Sequence, residues 1–416
     1  MAKKKEGGNP VNTQISLTVK RSKEFLKHII ENNQFLQKNG KRPVSVEIVS
    51  DAGIGKTSIV QQVAEESGLQ FVKINLAQIE ELGDLVGFCF KEFEVCLKGE
   101  GFQEKCEWIP ESALDQYLKL GYTFMNNSRM SYAAPEWISG KEEGGILLLD
   151  DAWRGDTRFV NAVMELISRQ EYISWKLPKN WHVILTNNPN DGEYLVNEID
   201  EAQRTRLISI GLKFDKECWA EYAESQSIDG RCINFLLLHP EVVMDPETGK
   251  IKKGCNPRSM ETFFNSIGSI PDFADPKSLA LIQMIGEGCI GPYATQMFIT
   301  FIHNKLDKLV SPEFIMDKPF EVVKTALKEL IGTMELKNYR ADIASTLSTR
   351  VTNYSINYAK DNKIDKTYID RIEGLILDQL FGADLSYRMA VSLHVSDTGK
   401  FKQLAMRQKL TKYIIS

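Results

Sequence analysis

The chain has 416 residues, a formal net charge of −5, 43% hydrophobic and 26% charged residues, the balance of an ordinary soluble globular protein. No run of about 18 apolar residues and no charged-then-apolar leader pattern occurs, which argues against a membrane span and for a cytoplasmic location. The acidic balance gives no global reason to expect a nucleic-acid partner, and at roughly 150 residues per domain two or three domains are expected.

The seven cysteines (Cys89, Cys96, Cys106, Cys218, Cys232, Cys255, Cys289) are odd in number and scattered, with no C-x-x-C pair. That pattern argues for reduced, mostly buried thiols rather than a disulfide frame. The five histidines show no ligand spacing, so no structural zinc is expected.

In chain order, "MAKKKEGGNP" (1–10) reads as a disordered basic tail. "VSVEIV" (44–49) is a short apolar strand, "TSIVQQVAEESG" a helix with Gly68 at the C-terminal cap, and "FVKINL" (71–76) a second strand. Residues 89–132 show weak periodicity and read as an insertion or long loop. "GGILLLDD" (144–151) predicts a buried strand, and in "TRFVNAVMELISRQ" Phe159, Val160, Val163, Met164 and Ile167 share one helical face. "WHVILTNNP" (181–189) and "RLISIGL" (206–212) supply further strands. Strands alternating with helices imply an α/β fold with a mostly parallel sheet and crossover helices. Beyond about residue 215 no strand is expected, only helices broken at Pro240, Pro246, Pro257, Pro271, Pro276, Pro292, Pro312 and Pro319. Residues 320–416 contain no proline, which suits long helices. Residues 301–416 hold 18 Lys and Arg against 14 Asp and Glu, and Lys400, Lys402, Arg407, Lys409 and Lys412 follow Asp397 with no acid among them. This segment reads as a solvated helix face or as a phosphate- or partner-contacting tail.

The stretch "VEIVSDAGIGKTSIV" (46–60) carries most of G-x-x-x-x-G-K-[ST], with Ser50 where the first glycine belongs. After a strand the chain must turn into a helix whose N-terminus faces the turn. Gly53 and Gly55 let main-chain amides converge on a phosphate, Lys56 reaches the β/γ-phosphates, and Thr57 holds Mg²⁺. The expected ATP cradle is Asp51, Ala52, Gly53, Ile54, Gly55, Lys56, Thr57 and Ser58. About 90 residues on, "ILLLDD" ends an apolar strand in two acids, with Asp150 as the Mg²⁺-side acid alongside Thr57 and Asp151 as the base for the attacking water.

These motifs resemble MoxR-type AAA+ ATPases, the branch related to single dynein or midasin modules, over roughly residues 40–310. The family's D-E-x-x-R-A reads here "DDAWRG", with Arg154 at the arginine. Its L-P-x-x-W-x-V segment reads "LPKNWHVILTNNPND", which implies Asn188 as first sensor, with Asn187 the less favoured choice. "DEAQRTRL" implies Arg206, or the nearby Arg204, as an arginine acting on the neighbouring subunit's ATP, and "GCNPRSMETFF" implies Arg258 as second sensor. More weakly, "IGEGCIGPYATQMFITFI" and "YAAPEWI" are similar to further family segments. The resemblance implies an AAA+ α/β core over 11–215, a helical lid over 216–310 and a helical C-terminal domain over 311–416. It implies a homo-oligomeric ring, a hexamer favoured, which uses Mg·ATP to remodel a protein client, with a von Willebrand factor type A domain as a further partner. Asp151 stands where the family has glutamate; one methylene shorter, it predicts slow hydrolysis. Two other readings stay open: a nucleotide-gated assembly module with little turnover, and a clamp-loader-like ATPase that binds nucleic acid through residues 400–412.

Overall fold

A computed structural model of the chain describes residues 15–97, 105–154, 157–189, 201–332, 338–396, 398–407 and 410. The tail expected at 1–10 lies outside them. Two units divide the chain, the first ending at Leu212 and the second beginning at Lys213.

The first unit opens with β1 (Ser16–Leu17), α1 (Val19–Lys38), β2 (Ser45–Val49), α2 (Lys56–Glu66) and β3 (Gln70–Asn75). A short α3 (Leu82–Val86) leads to β4 (Cys89–Leu97), β5 (Lys105–Pro110), α4 (Leu114–Lys119) and β6 (Thr123–Tyr132). Then come β7 (Gly145–Asp150), α5 (Thr157–Arg169), the hairpin of β8 (Glu171–Tyr172) and β9 (Trp175–Lys176), β10 (Trp181–Asn187), α6 (Glu201–Arg204) and β11 (Leu207–Leu212).

Six strands form one sheet in the order β1-β11-β2-β10-β7-β3, every neighbouring pair parallel. A parallel sheet is covered on both faces, which is why its strands read as continuous apolar runs. Alternate residues serve opposite layers. Val46, Ile48, Ile146, Leu148 and Ile184 pack with Leu26 and Ile29 of α1 and Ile59, Val60 and Val63 of α2. Leu147, Leu149, Val183 and Leu185 pack with Phe159, Val160, Val163, Met164 and Ile167 of α5. The chain leaves β2 toward β3 on one side, while β11 lies on the other. The C-terminal end of β2 is thus a topological switch point, where open α/β sheets bind ligands.

Residues 89–132 are not a long loop. β4, β5 and β6 form an antiparallel sheet in the order β5-β4-β6. Its outer strands are largely solvent-exposed, so their polar and charged residues mask the alternation that marks a strand. The expectation of reduced thiols is also corrected, since Cys96 and Cys106 are joined in a disulfide. The two cysteines sit directly opposite each other in the β4–β5 register, a relation that spacing along the chain does not reveal. The other five cysteines are free.

In the second unit, α7 (Lys216–Ser225), α8 (Gly230–Leu238), α9 (Pro257–Ile267), α10 (Pro276–Cys289) and α11 (Gly291–His303) precede α12 (Pro312–Asp317), α13 (Phe320–Ile331), α14 (Ala341–Asp361), α15 (Lys366–Leu377) and α16 (Ala383–His394). Among the described residues the only strand-type pairing there is the isolated bridge of Met244 with Ile251. Pro257, Pro276 and Pro312 each open a helix, where the missing N–H costs nothing. One core gathers Phe235, Phe263, Phe264 and Phe298, and a second gathers Ile343, Leu347, Val351, Ile369 and Ile372. No described helix is long and apolar enough to cross a membrane. In the basic segment, Lys400 donates to the carbonyls of Ala359 and Asn362, and Arg407 pairs with Asp370 and Glu373. Lys409 and Lys412 lie outside the described residues.

His182 of β10 is almost wholly buried on the α1 face, its Nδ1 3.5 Å from Asn33 Nδ2 and its Nε2 without a partner. Burial pulls the imidazole down from 6.5 to about 4. Between those values the unfolded chain binds a proton that the folded chain refuses. Stability is therefore full above pH 6.5 and falls as pH drops toward about 4, by at most about 1.4 kcal/mol per unit. Urea titrations over that range should show the slope in the native chain and its loss in His182→Gln.

Candidate functional site

The loop between β2 and α2 turns on two glycines with left-handed backbone, Gly53 (φ 81°) and Gly55 (φ 102°), the latter capping α2. A side chain is strained in that region, so both positions suit glycine. Ser50, in place of the first motif glycine, is buried and joined to β10 by its amide, which donates to the Asn187 carbonyl at 3.2 Å.

Lys56, the first residue of α2, is buried and its ammonium is turned into the loop. Nζ donates to the carbonyls of Ser50 (2.7 Å) and Asp51 (3.1 Å) and to Asn188 Oδ1 (2.9 Å). Thr57 Oγ1 lies 3.3 Å from both carboxylate oxygens of Asp150, at the end of β7. Lys73 of β3 pairs with Asp150 at 2.8 Å, and Thr186 of β10 donates a hydrogen bond to it. Burial alone would push the Asp150 carboxyl up. The Lys73 ammonium and the Thr186 and Thr57 hydroxyls outweigh it and hold the group below the usual aspartate range.

Asp151 begins the turn out of β7 with φ 52°, a left-handed conformation that aspartate tolerates better than most residues. The turn is stitched to β10: Ala152 N donates to the Thr186 carbonyl and Trp153 N to Asn187 Oδ1. Asp151 accepts from Asn188 Nδ2 and from Arg154 Nη1, each at 3.3 Å.

Asn187 and Asn188 have separate placements. Asn188 bridges Lys56 and Asp151, whereas Asn187 donates to Glu47 Oε1 at 2.9 Å and accepts from Trp153. Successive residues of an extended chain point to opposite sides, so only one can face the loop.

Arg204 and Arg206 are exposed and precede β11, whose first residue, Leu207, pairs with Ser45 at the start of β2. They therefore lie at the sheet edge opposite the phosphate loop, about 13 Å away along the strand by the usual rise per residue. Arg258 lies in the second unit, exposed in the first turn of α9 beside the capping box of Asn256 and Ser259.

Motif reading missed Lys73, Thr186 and Glu47. Glu47, in the middle of β2, is buried, and its carboxyl group accepts from Trp153 Nε1 (2.6 Å), Asn187 Nδ2 (2.9 Å) and Ser209 Oγ (2.7 Å). A lone acid inside the apolar run "VSVEIV" was the available signal.

The all-parallel sheet, the glycine-turned loop after β2 and the acid ending β7 give the first unit a P-loop type of α/β core, followed by a second unit that is helical among the described residues apart from one isolated bridge. No protein-family model matches the sequence, and no curated protein is similar to it. Similar solved structures include a candidate ATPase from Cytophaga hutchinsonii, at 12% identity and a TM-score of 0.29, covering 80% of this chain and 81% of that one. Two single-substitution variants of Thermotoga maritima RuvB follow. One has 13% identity and a TM-score of 0.37, with 71% and 79% of the two chains covered. The other has 12% identity and a TM-score of 0.36, with 81% and 87% covered. At that level of likeness the geometry of the site, not the neighbours, carries the function.

Removing the Glu47 side chain orphans the buried donors of Trp153 and Asn187, each costing roughly 1–3 kcal/mol. Glu47→Ala should therefore lower unfolding free energy well beyond Glu47→Gln, which keeps an acceptor for both. Equal urea midpoints for the two variants would show that the network does not hold the turn.

Proposed function

We propose that this chain is a P-loop ATPase that binds Mg·ATP at the C-terminal edge of its parallel sheet, assembles as a ring, and remodels a protein client in the manner of MoxR-type chaperones. One observation supports this above the rest: Lys56, Thr57, Asp150, Asp151 and Asn188, drawn from the start of α2 and the ends of the adjacent strands β7 and β10, converge on a single glycine-turned loop.

The residues fit both groups. Glycine at the two left-handed positions 53 and 55 puts no Cβ where a phosphate chain would approach the loop, and the Lys56 ammonium already sits among oxygen acceptors that phosphate oxygens can replace. The Thr57 hydroxyl and the Asp150 carboxylate are adjacent hard oxygen donors, the kind Mg²⁺ takes alongside substrate phosphates. When bound, Mg²⁺ neutralises charge on the phosphate oxygens.

Within the chain, Lys73 and Thr186 keep Asp150 ionised and oriented. Asp151 takes the proton of the attacking water, and Asn188 links that base to the phosphate-binding lysine. Arg206, at the far edge of its own sheet, serves a neighbour's site and not its own, which supports a homo-oligomer with ATP between subunits; Arg204 is the rival for this role. Arg258 acts as second sensor from a lid of residues 216–310, with 311–416 as a helical C-terminal domain. A von Willebrand factor type A domain is a candidate partner.

Lys56→Ala should weaken ATP binding by at least about tenfold, since a charge-assisted contact is worth roughly 1.5–3 kcal/mol. Arg206→Ala should keep binding and lose about 10³-fold or more in turnover, and mixing the two variants should restore part of it. Unchanged affinity in Lys56→Ala would sink the site assignment, and mixtures without rescue would remove the shared-site ring.

A second reading, a nucleotide-gated assembly module, is favoured by Asp151 itself, which is short and held by both Asn188 and Arg154. Under slow hydrolysis, Asp151→Glu should raise steady-state phosphate release from a low basal rate. If the native chain already turns over rapidly, or the variant gains nothing, the base assignment is wrong.

A further inference from the structure

β3 is an edge strand of the six-stranded sheet, and Lys73 within it pairs in register with Leu148, two residues before Asp150. Alternate residues of a strand share a face. Lys73, Leu148 and Asp150 therefore lie on the side that packs against α2, where Leu148 is buried. An edge-strand lysine commonly does no more than keep other strands away, with its ammonium in water. Here the side chain follows the sheet for about 7 Å by the usual rise. It places Nζ 2.8 Å from Asp150 Oδ2 while remaining 41% exposed.

Asp150 is thereby surrounded. Its Oδ1 accepts from Thr186, Thr57 Oγ1 lies 3.3 Å from both oxygens, and Oδ2 meets the ammonium. The two hydroxyls are neutral and can stay beside a carboxylate that faces a divalent ion. The ammonium cannot. It puts a positive charge within a few ångströms of any ion that Thr57 and Asp150 share, and that repulsion is strong where the carboxylate is only 14% exposed. A metal ion and the Lys73 ammonium are therefore alternatives at this carboxylate. Lysine is suited to such an exchange, because its stem is flexible and its charged end already reaches solvent.

We infer that Lys73 is a positioning residue that makes metal binding conditional on nucleotide. Its ammonium takes the metal side of Asp150 in the empty site, keeps free divalent cations out, and gives way when phosphate charge offers it another partner. This rests on the Mg·ATP reading of the site and adds an order of events, in which free metal does not precede nucleotide. A lysine that merely guards the sheet edge would leave metal affinity untouched.

The test is titration of the full chain with Mn²⁺, the probe for Mg²⁺, in the absence of nucleotide, with free Mn²⁺ followed by paramagnetic resonance. Lys73→Met keeps an unbranched stem and removes the charge, and should bind Mn²⁺ at least about tenfold more tightly than the native chain. Lys73→Arg keeps the charge and should behave as the native chain does. Adding Asp150→Asn to Lys73→Met should abolish the gain, which locates the ion. With a non-hydrolysable ATP analogue present, the native chain should take up Mn²⁺ and the advantage of Lys73→Met should shrink. The inference is overturned if Lys73→Met binds Mn²⁺ no better than the native chain, or if Lys73→Arg gains as much as Lys73→Met. Calorimetry with the analogue separates this from the reading beneath it. Analogue binding by the native chain, with Mn²⁺ affinity unchanged in Lys73→Met, overturns the role of Lys73 alone. No analogue binding by the native chain overturns the nucleotide site, and this inference with it.

Discussion

The parallel register of β10 between β2 and β7 is the constraint on which the site depends. Asn187 pairs with Val49 and Thr186 with Asp150, so the last residues of three strands reach the same edge together. From that alignment follow the Thr186 bond to Asp150, the Ser50 bond to the Asn187 carbonyl, and the position of Asn188 between Lys56 and Asp151. Because strand side chains alternate, a slip of one residue would exchange the two asparagines and turn the loop-facing amide into the core. Apolar packing on both faces fixes the register, and the register fixes the chemistry.

Polar groups taken out of water at this edge have been given partners, and the partners are themselves functional candidates. Glu47 satisfies the indole of Trp153 and the amide of Asn187 behind the loop. Lys73 and Thr186 satisfy Asp150 in front of it. A network so closed is rigid, and rigidity of this kind lets a loop present amides and an ammonium without rearranging when charge arrives.

Much of the sheet was legible in the sequence because buried parallel strands are predominantly apolar runs: "VSVEIV", "GGILLLDD" and "WHVILTN" have few other readings. The insertion was not, since β5 and β6 keep much of both faces in solvent and so lose the contrast that marks a strand. α1 escaped notice for a related reason. Its buried stripe includes Ser22 and Asn33 among the aliphatics, and Asn33 is there to hold both main-chain groups of Val44. The Cys96–Cys106 pair depends on register across two strands, which spacing along the chain cannot show. At the site, Lys56, Thr57 and Asp150 could be read from motif spacing alone. The motif also favoured Asn188 over Asn187, and the parity of β10 adds that Asn188 is the one on the loop side, while the placement of Arg206 at the far edge needed the pairing of Leu207 with Ser45.

Asp151 joins these threads. Its left-handed backbone is what turns the chain from β7 so that Ala152 and Trp153 can bond to β10. Short polar residues are tolerated there because their side chains bond locally, as this one does with Asn188 and Arg154. A glutamate would reach further toward a water but has less local bonding to offset the conformation. The residue at the position proposed for the base is therefore set by two demands at once, reach into the site and compatibility with a turn that the sheet requires. In this chain the turn favours aspartate, and the reach that aspartate gives up is the physical origin of the slow hydrolysis proposed for the site.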